Sequence, residues 1–212
     1  MKKLTLKTMV LLCVAALAAC NHAPKQKTIE CNVSPVEVFG CDYGPLDLTF
    51  RLVCDINPGE LGMLGDSTDI NVNPTVYFSS NDTASVAERA AEYCQSLDNG
   101  AKYYWHRCDD DVFELLIIDN TPLLDGSSVE EAAATMTYTD QPQVDITFNS
   151  EAAAKWKNIT SNNVGKRIAI MLKDRVLSAP MIACEIDGGK ASITGPSQDE
   201  ICALCQILNG KK

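Results

Sequence analysis

The chain has 212 residues, which suits one large domain or two small ones. It carries 18 basic and 28 acidic residues, a formal net charge of −10. The first 19 residues hold three lysines and no acid, so the remainder has 15 basic against 28 acidic residues, a charge of −13. A body this acidic argues against nucleic acid as a partner and against direct adhesion to anionic lipid.

The N-terminus has the order of features found in bacterial lipoprotein signals. Three lysines within the first seven residues precede an apolar run at residues 9–17, which is too short to span a bilayer. The sequence Leu17-Ala18-Ala19-Cys20 then matches a lipobox. We therefore predict a signal peptide at residues 1–19. The alternative is an ordinary secretory signal in which the cysteine has no role.

Lipidation of Cys20, with palmitate among the acyl chains, would anchor the protein stably to a membrane. Residues 20–28 are predicted to form a flexible tether between the lipid and the fold. Asn21 stands where an aspartate commonly retains lipoproteins at the inner membrane. We therefore expect a location in the cell envelope, with the outer membrane favoured and the protein body outside the cytoplasm.

Eight cysteines remain once Cys13 leaves with the signal and Cys20 is lipidated. An even number in an exported chain favours disulfides, although about 105 pairings are open to eight cysteines. We predict two or more bridges, and if all eight pair, at least one must join the two halves. Alternatively, several are small buried hydrophobic residues. The candidates are Cys31, Cys41, Cys54, Cys94, Cys108, Cys184, Cys202 and Cys205.

The first half, residues 29–120, is predicted to be a small α+β subdomain. Alternation predicts strands at residues 46–52 and 75–78, separated by a glycine-rich loop at 59–73. A capping box at Ser85 and Glu88 predicts the helix that follows, with a buried stripe through Val86, Ala90, Tyr93, Cys94 and Leu97. Two further strands, at 102–107 and 112–118, flank an acidic turn.

The second half, residues 121–212, is predicted to alternate strands and helices. Strands are expected at residues 134–139, 144–148, 167–172, 176–184 and 191–194, the last entered through a hairpin at 187–190. Ser150-Glu151 predicts the start of one helix, and the capping box of Ser197 and Glu200 the start of another. The fold class is therefore α+β, with small mixed or antiparallel sheets, helices packed on one face and two subdomains joined by disulfides.

Several segments of the second half together resemble the head subdomain of the first periplasmic domain of SecD/SecDF. They are Leu123-Leu124-Asp125-Gly126, Val144-Asp145-Ile146-Thr147-Phe148, Asn163-Val164-Gly165-Lys166-Arg167 and Ser178-Ala179-Pro180, in the family's order within residues 122–210. The resemblance implies a surface that binds exported polypeptides or an envelope complex such as the Sec translocon. It also implies no catalytic residue. The family's membrane helices have no counterpart in this chain.

Lys166 and Arg167 are the candidate protein-binding residues that this resemblance brings forward. Their position after a helix also fits two solvated cations at a helix C-terminus. In the first half, Leu48-Thr49-Phe50-Arg51-Leu52-Val53 resembles a strand of the family's base region.

No pattern of an enzyme stands out, because only His22 and His106 are available as histidines and no phosphate loop or nucleophile elbow occurs. We predict a protein without catalytic residues, metal or cofactor. One alternative is a thiol-disulfide protein that uses Cys202 and Cys205 as a CxxC pair. Another is a structural envelope lipoprotein in which the head fold serves an unrelated task.

Overall fold

The computed structural model describes residues 26–56, 76–79 and 81–210. The predicted signal, Cys20, most of the tether and the predicted loop at 59–73 lie outside these residues. The elements, in chain order, are α1 (Pro35–Phe39), β1 (Leu48–Leu52), β2 (Val76–Ser79), α2 (Thr83–Ser96), β3 (Lys102–Asp109), β4 (Val112–Ile118), β5 (Leu124–Asp125), β6 (Val129–Met136), β7 (Pro142–Phe148), α3 (Ser150–Asn162), β8 (Ile168–Leu172), β9 (Arg175–Ser178), β10 (Lys190–Thr194) and α4 (Gln198–Asn209). Short 3-10 turns lie at Pro45–Asp47 and Gly126–Ser128.

The described strands form three small antiparallel sheets, with orders β5-β1-β8-β9, β10-β7-β6 and β2-β4-β3. The predicted α+β class is confirmed. β1 lies between β5 and β8, so that Phe50 pairs with Leu124 on one side and with Ile170 on the other. A strand from the first half of the chain is therefore central to a sheet built from the second half.

The main core lies between the sheets of β1 and β7 and the helices α3 and α4. At its centre Phe50, Phe148 and Trp156 contact one another, with ring centroids 5.2 to 5.6 Å apart. Such inclined aromatic contacts add to the stabilisation from burial itself. Trp156 lies on the buried face of α3 together with Ala152 and Thr160.

β4 joins two smaller clusters because both of its faces are buried. Leu115 and Ile117 pack under α2, whereas Leu116 and Ile118 face β8 and β9. A strand covered on both faces has a continuous apolar run instead of alternation. The second face is where the sheet of β4 rests against the sheet of β8.

The N-terminal segment lies along the edge of β6. Ile29 donates to the carbonyl of Ala134, and Met136 donates to the carbonyl of Lys27, both at 2.9 Å. Two residues further on, Cys31 is bonded to Cys202 of α4. The predicted bridge between the halves is present, but the other six predicted cysteines are free thiols, so the expectation of two or more bridges was wrong.

Several predicted elements have different bounds in the structure. β10 pairs with β7 and not with the strand before it, so the predicted hairpin at 187–190 was wrong. The strand predicted at 176–184 ends at Ser178, since Pro180 cannot donate to a ladder and the carbonyl of Ala179 accepts from Arg167 Nε. The strand predicted at 134–139 is β6, Val129–Met136.

One helix start also differs. α2 begins after Asp82, not at the predicted box of Ser85 and Glu88, and the Ser85 hydroxyl donates to the Asp82 carbonyl. α3 begins at Ser150, as predicted, but its capping side chain is Asn149, the residue before it. The capping box of Ser197 and Glu200 on α4 is confirmed.

Replacing both Cys31 and Cys202 with alanine is expected to lower the free energy of unfolding by about 2–5 kcal/mol, because the bridge closes a long loop. Urea denaturation of the oxidised protein measures this change. Cys41→Ala, which removes an exposed free thiol, is the control and should leave the midpoint unchanged. Equal midpoints for the double variant and the control would contradict a stabilising bridge.

Candidate functional site

A segment without regular structure, residues 179–187, folds back over β8 and α3; we call it the strap. Ile182 makes two 2.8 Å backbone hydrogen bonds, donating to the Lys166 carbonyl and accepting from Gly165 N. At the far end Ile186 N donates to the Thr160 hydroxyl at 2.9 Å. The strap is therefore held at its middle and at its end by α3 and the turn that follows α3.

Gly189, just after the strap, must be a glycine. Its φ is +63°, and an added Cβ would lie 2.4 Å from the Cβ of Ala153 on α3. A side chain would therefore clash with the helix in a backbone region that favours glycine. The close approach holds the C-terminal end of the strap against α3.

An apolar cleft with an interior volume of about 50 Å³ lies beneath the strap. This is room for roughly three groups of water size. Most of its wall is apolar, from Phe50, Trp156, Ile170, Pro180, Met181 and Ile186. Met181 is 41% exposed at its rim although it is a large hydrophobic residue.

Trp156 is the distinctive residue of this cleft. Its side chain is only 5% exposed. Among the described residues, its Nε1 is the one buried side-chain nitrogen or oxygen without a hydrogen-bond partner. Buried indole N–H groups usually find an acceptor, and an unpaired buried donor costs about 1–3 kcal/mol. Trp156, which lines the cleft, therefore carries a donor that has no acceptor among the described residues.

The two predicted binding residues lie beside the strap but differ in their surroundings. Lys166 is exposed, and its backbone holds Ile182. Arg167 is partly buried: its guanidinium binds both carboxylate oxygens of Glu114, and its Nε donates to Ala179 at 2.8 Å. Arg167 thus has structural partners, and the side chain of Lys166 is exposed to solvent. Their binding role stays a prediction.

Glu114 on β4 is 3% exposed and accepts from two cationic or polar partners. Besides Arg167, His106 Nδ1 lies 3.4 Å from Glu114 Oε2. Burial raises the pKa of Glu114, but the hydrogen bonds from His106 and Arg167 outweigh it and hold the pKa below its usual value. Glu114 is therefore a buried carboxylate, and nothing in an apolar strand pattern marks it in advance.

The CxxC pair does not form a redox couple in this structure. Cys202 is buried and bonded to Cys31, while the Cys205 thiol donates to the Ala132 carbonyl at 3.1 Å. Burial raises the pKa of Cys205, and it raises the pKa of Cys94 and Cys108 to about 11. These thiols are protonated near neutral pH, whereas reactive cysteines are thiolates.

Residues 103–210 match the family described as SecDF, P1 head subdomain. The chain belongs to this family. The match begins within β3, earlier than the predicted start at residue 122, and it includes Glu114 and Arg167. The predicted resemblance is thus confirmed, and the start of the family region is extended.

The curated relatives are named as protein translocase subunits. SecDF of Thermus thermophilus is 44% identical over 79 residues, which is 37% of this chain and 11% of that protein. SecD of Rickettsia typhi is 38% identical over 96 residues, 43% of this chain and 18% of that protein. The chain therefore corresponds to less than a fifth of the length of these two relatives.

Among solved structures, one described as a membrane component SecDF that enhances protein export is 28% identical. The superposition covers 76% of this chain and 60% of the chain in that structure, with a TM-score of 0.44. No helix within the described ranges is long and apolar enough to cross a membrane.

Glu114→Ala is expected to lower the free energy of unfolding by about 3–5 kcal/mol, because Arg167 loses its counter-charge in a partly buried position. Denaturation with urea measures the change. The control is Glu151→Ala, whose ion pair with Lys155 is exposed on α3 and should leave stability unchanged. If both variants unfold at the same urea concentration, the Glu114 pair has no structural role.

Proposed function

We propose that this protein is a lipid-anchored, non-enzymatic binding module of the cell envelope that holds exported polypeptides. The observation that carries the proposal is the apolar cleft beneath the strap, with the unpartnered indole of Trp156 in its wall. Membership of the SecDF head family supports the assignment, since its named relatives are translocase subunits.

The chemistry of the cleft suits an extended segment with one apolar side chain. Burying that side chain against Phe50 and Ile170 would remove apolar surface from water. Met181 at the rim is flexible and polarisable, so it can adapt to side chains of different shape. A backbone carbonyl of the same segment could accept from Trp156 Nε1. Such contacts favour unfolded, apolar polypeptide segments and do not require a particular amino-acid sequence.

The charge of the protein body fits the anchoring part of the proposal. With a charge of −13 after the predicted signal, the body is repelled by anionic headgroups. Acyl chains on Cys20 would hold it near the membrane, and residues 27–29 connect the tether to β6. We propose the outer membrane as its location, and Lys166 beside the strap as a polar contact to the bound chain or to a translocon subunit.

A thiol-disulfide function is less well supported than binding, because Cys202 is paired with Cys31 and the Cys205 thiol is protonated. The structural alternative, a head fold reused for another task, remains an outcome of the experiments below.

Met181→Asp is expected to weaken binding of an unfolded apolar peptide by about fivefold to tenfold, the effect of roughly 1–1.4 kcal/mol. A charge at the rim would be desolvated by the bound segment. Fluorescence anisotropy with a labelled, unstructured, leucine-rich peptide measures the affinity. The matched control is Tyr138→Asp, because Tyr138 is 98% exposed on a separate turn. Equal weakening by both variants would show that general surface hydrophobicity, and not the cleft, binds the peptide.

Site-specific photo-crosslinking in living cells tests the partner. Probes at Met181 and Lys166 should capture translocating polypeptides or translocon subunits, and a probe at Tyr138 should not. Capture of a single unrelated envelope protein from the strap positions would instead support a reused head fold.

A further inference from the structure

A second group of chemically active side chains lies on the β3–β4 hairpin, and one of them, Glu114, is bound by Arg167. His106 and Glu114 are directly opposite in the strand register. The register shifts between Arg107 and Asp109, which makes Cys108 the extra residue of a bulge. Bulges often re-aim a side chain, and here the Cys108 sulfur lies 4.0 Å from His106 Nδ1.

The three potential ligand atoms are close together: an imidazole nitrogen, a thiol sulfur and a carboxylate oxygen all lie within 4.8 Å of one another. Zinc binds nitrogen and oxygen at about 2.0–2.2 Å and sulfur at about 2.3 Å, so the edges of its tetrahedron are roughly 3.3–3.6 Å long. The His106–Glu114 separation of 3.4 Å already has that length. The sulfur needs to approach by less than half an ångström along its edge with His106.

We propose that His106, Cys108 and Glu114 form a binding site for a divalent transition metal of the zinc class. The donor set, one thiolate, one imidazole and one carboxylate, is typical of zinc and its neighbours and unsuited to calcium or magnesium. Cys108 is exposed, so a fourth position faces solvent. Binding releases the thiol proton of Cys108 to solvent, and the thiolate occupies a coordination position on the metal.

Arg167 has a defined place in this site. It binds both oxygens of Glu114 from one side, which fixes the plane of the carboxylate as outer partners of metal ligands commonly do. Its positive charge opposes a cation, but the thiolate and the carboxylate together balance the charge of the metal. The metal would therefore bind on the side of Glu114 that faces His106 and Cys108.

The acidic turn after His106 was the nearest source of ligands along the chain, yet Asp110 is exposed and paired with Arg107. The strand register supplies Glu114 instead, eight residues away. The site shares no residue with the cleft lining. The metal proposal can therefore be tested independently of the proposed binding function.

Titration of the purified protein with Co²⁺, in a thiol-free reductant, tests the proposal directly. We expect a thiolate-to-cobalt charge-transfer band that Zn²⁺ abolishes by competition. Cys108→Ser should remove the band, and His106→Gln should weaken cobalt binding by roughly tenfold or more. Cys41→Ser is the matched control, since Cys41 is another exposed free thiol, and it should leave the titration unchanged.

Urea denaturation of each variant without metal confirms that the fold is intact, because both substitutions leave the Glu114–Arg167 pair in place. An intact Cys108→Ser variant that keeps the band overturns the proposal. So does a wild-type protein that shows no band at millimolar cobalt.

Discussion

The ion pair between Glu114 and Arg167 is the interaction on which the arrangement of this molecule depends. Arg167 contacts three parts of the fold. Its side chain binds Glu114 on β4 and the carbonyl of Ala179 at the start of the strap. Its own carbonyl accepts a hydrogen bond from Val53, the residue after β1. Two charges taken out of water are costly unless both are paired, so each residue is needed once the other is present. The pair adds a directional contact between two sheets that also meet through apolar surface, which is not directional, and through backbone hydrogen bonds from Cys54 to Ile117 and from Asp119 to Leu52.

The path of the strap explains why an apolar cleft persists in the main core. The strap leaves the sheet at Pro180, where the ladder cannot continue, and returns to α3 through Ile182 and Ile186. Held at these points, it cannot collapse fully onto Phe50 and Trp156. The cleft is therefore a consequence of backbone hydrogen bonds and a proline, and the exposed Met181 is the side chain that the strap displays over it.

Local patterns in the sequence predicted most helices and strands but not how they meet. The stripe of α2 and the cap of α4 follow from periodicity and side-chain chemistry within a few residues, and both are present. The pairing of β10 with β7 is set by the distant partner that Ala191 and Ile193 bury against, which no local signal contains. Glu114 was missed for the same reason: inside an apolar run, its partners Arg167 and His106 become neighbours only in the folded sheet. A binding surface was expected from the resemblance, but the residues that line the cleft come from five separate segments of the chain.

The N-terminal attachment also follows from the topology. If the protein is anchored through Cys20, any pull from the membrane reaches the fold at residues 27–29, which lie along β6 by a few backbone hydrogen bonds. Hydrogen bonds at a strand edge open one at a time under such a load. The disulfide bond between Cys31 and Cys202 lies two residues later and prevents further separation of the segment from β6. It transmits the force to α4, whose buried face is part of the main core. A single bridge is thus placed where an anchored protein would need it, and the cleft lies on elements that the load does not reach directly.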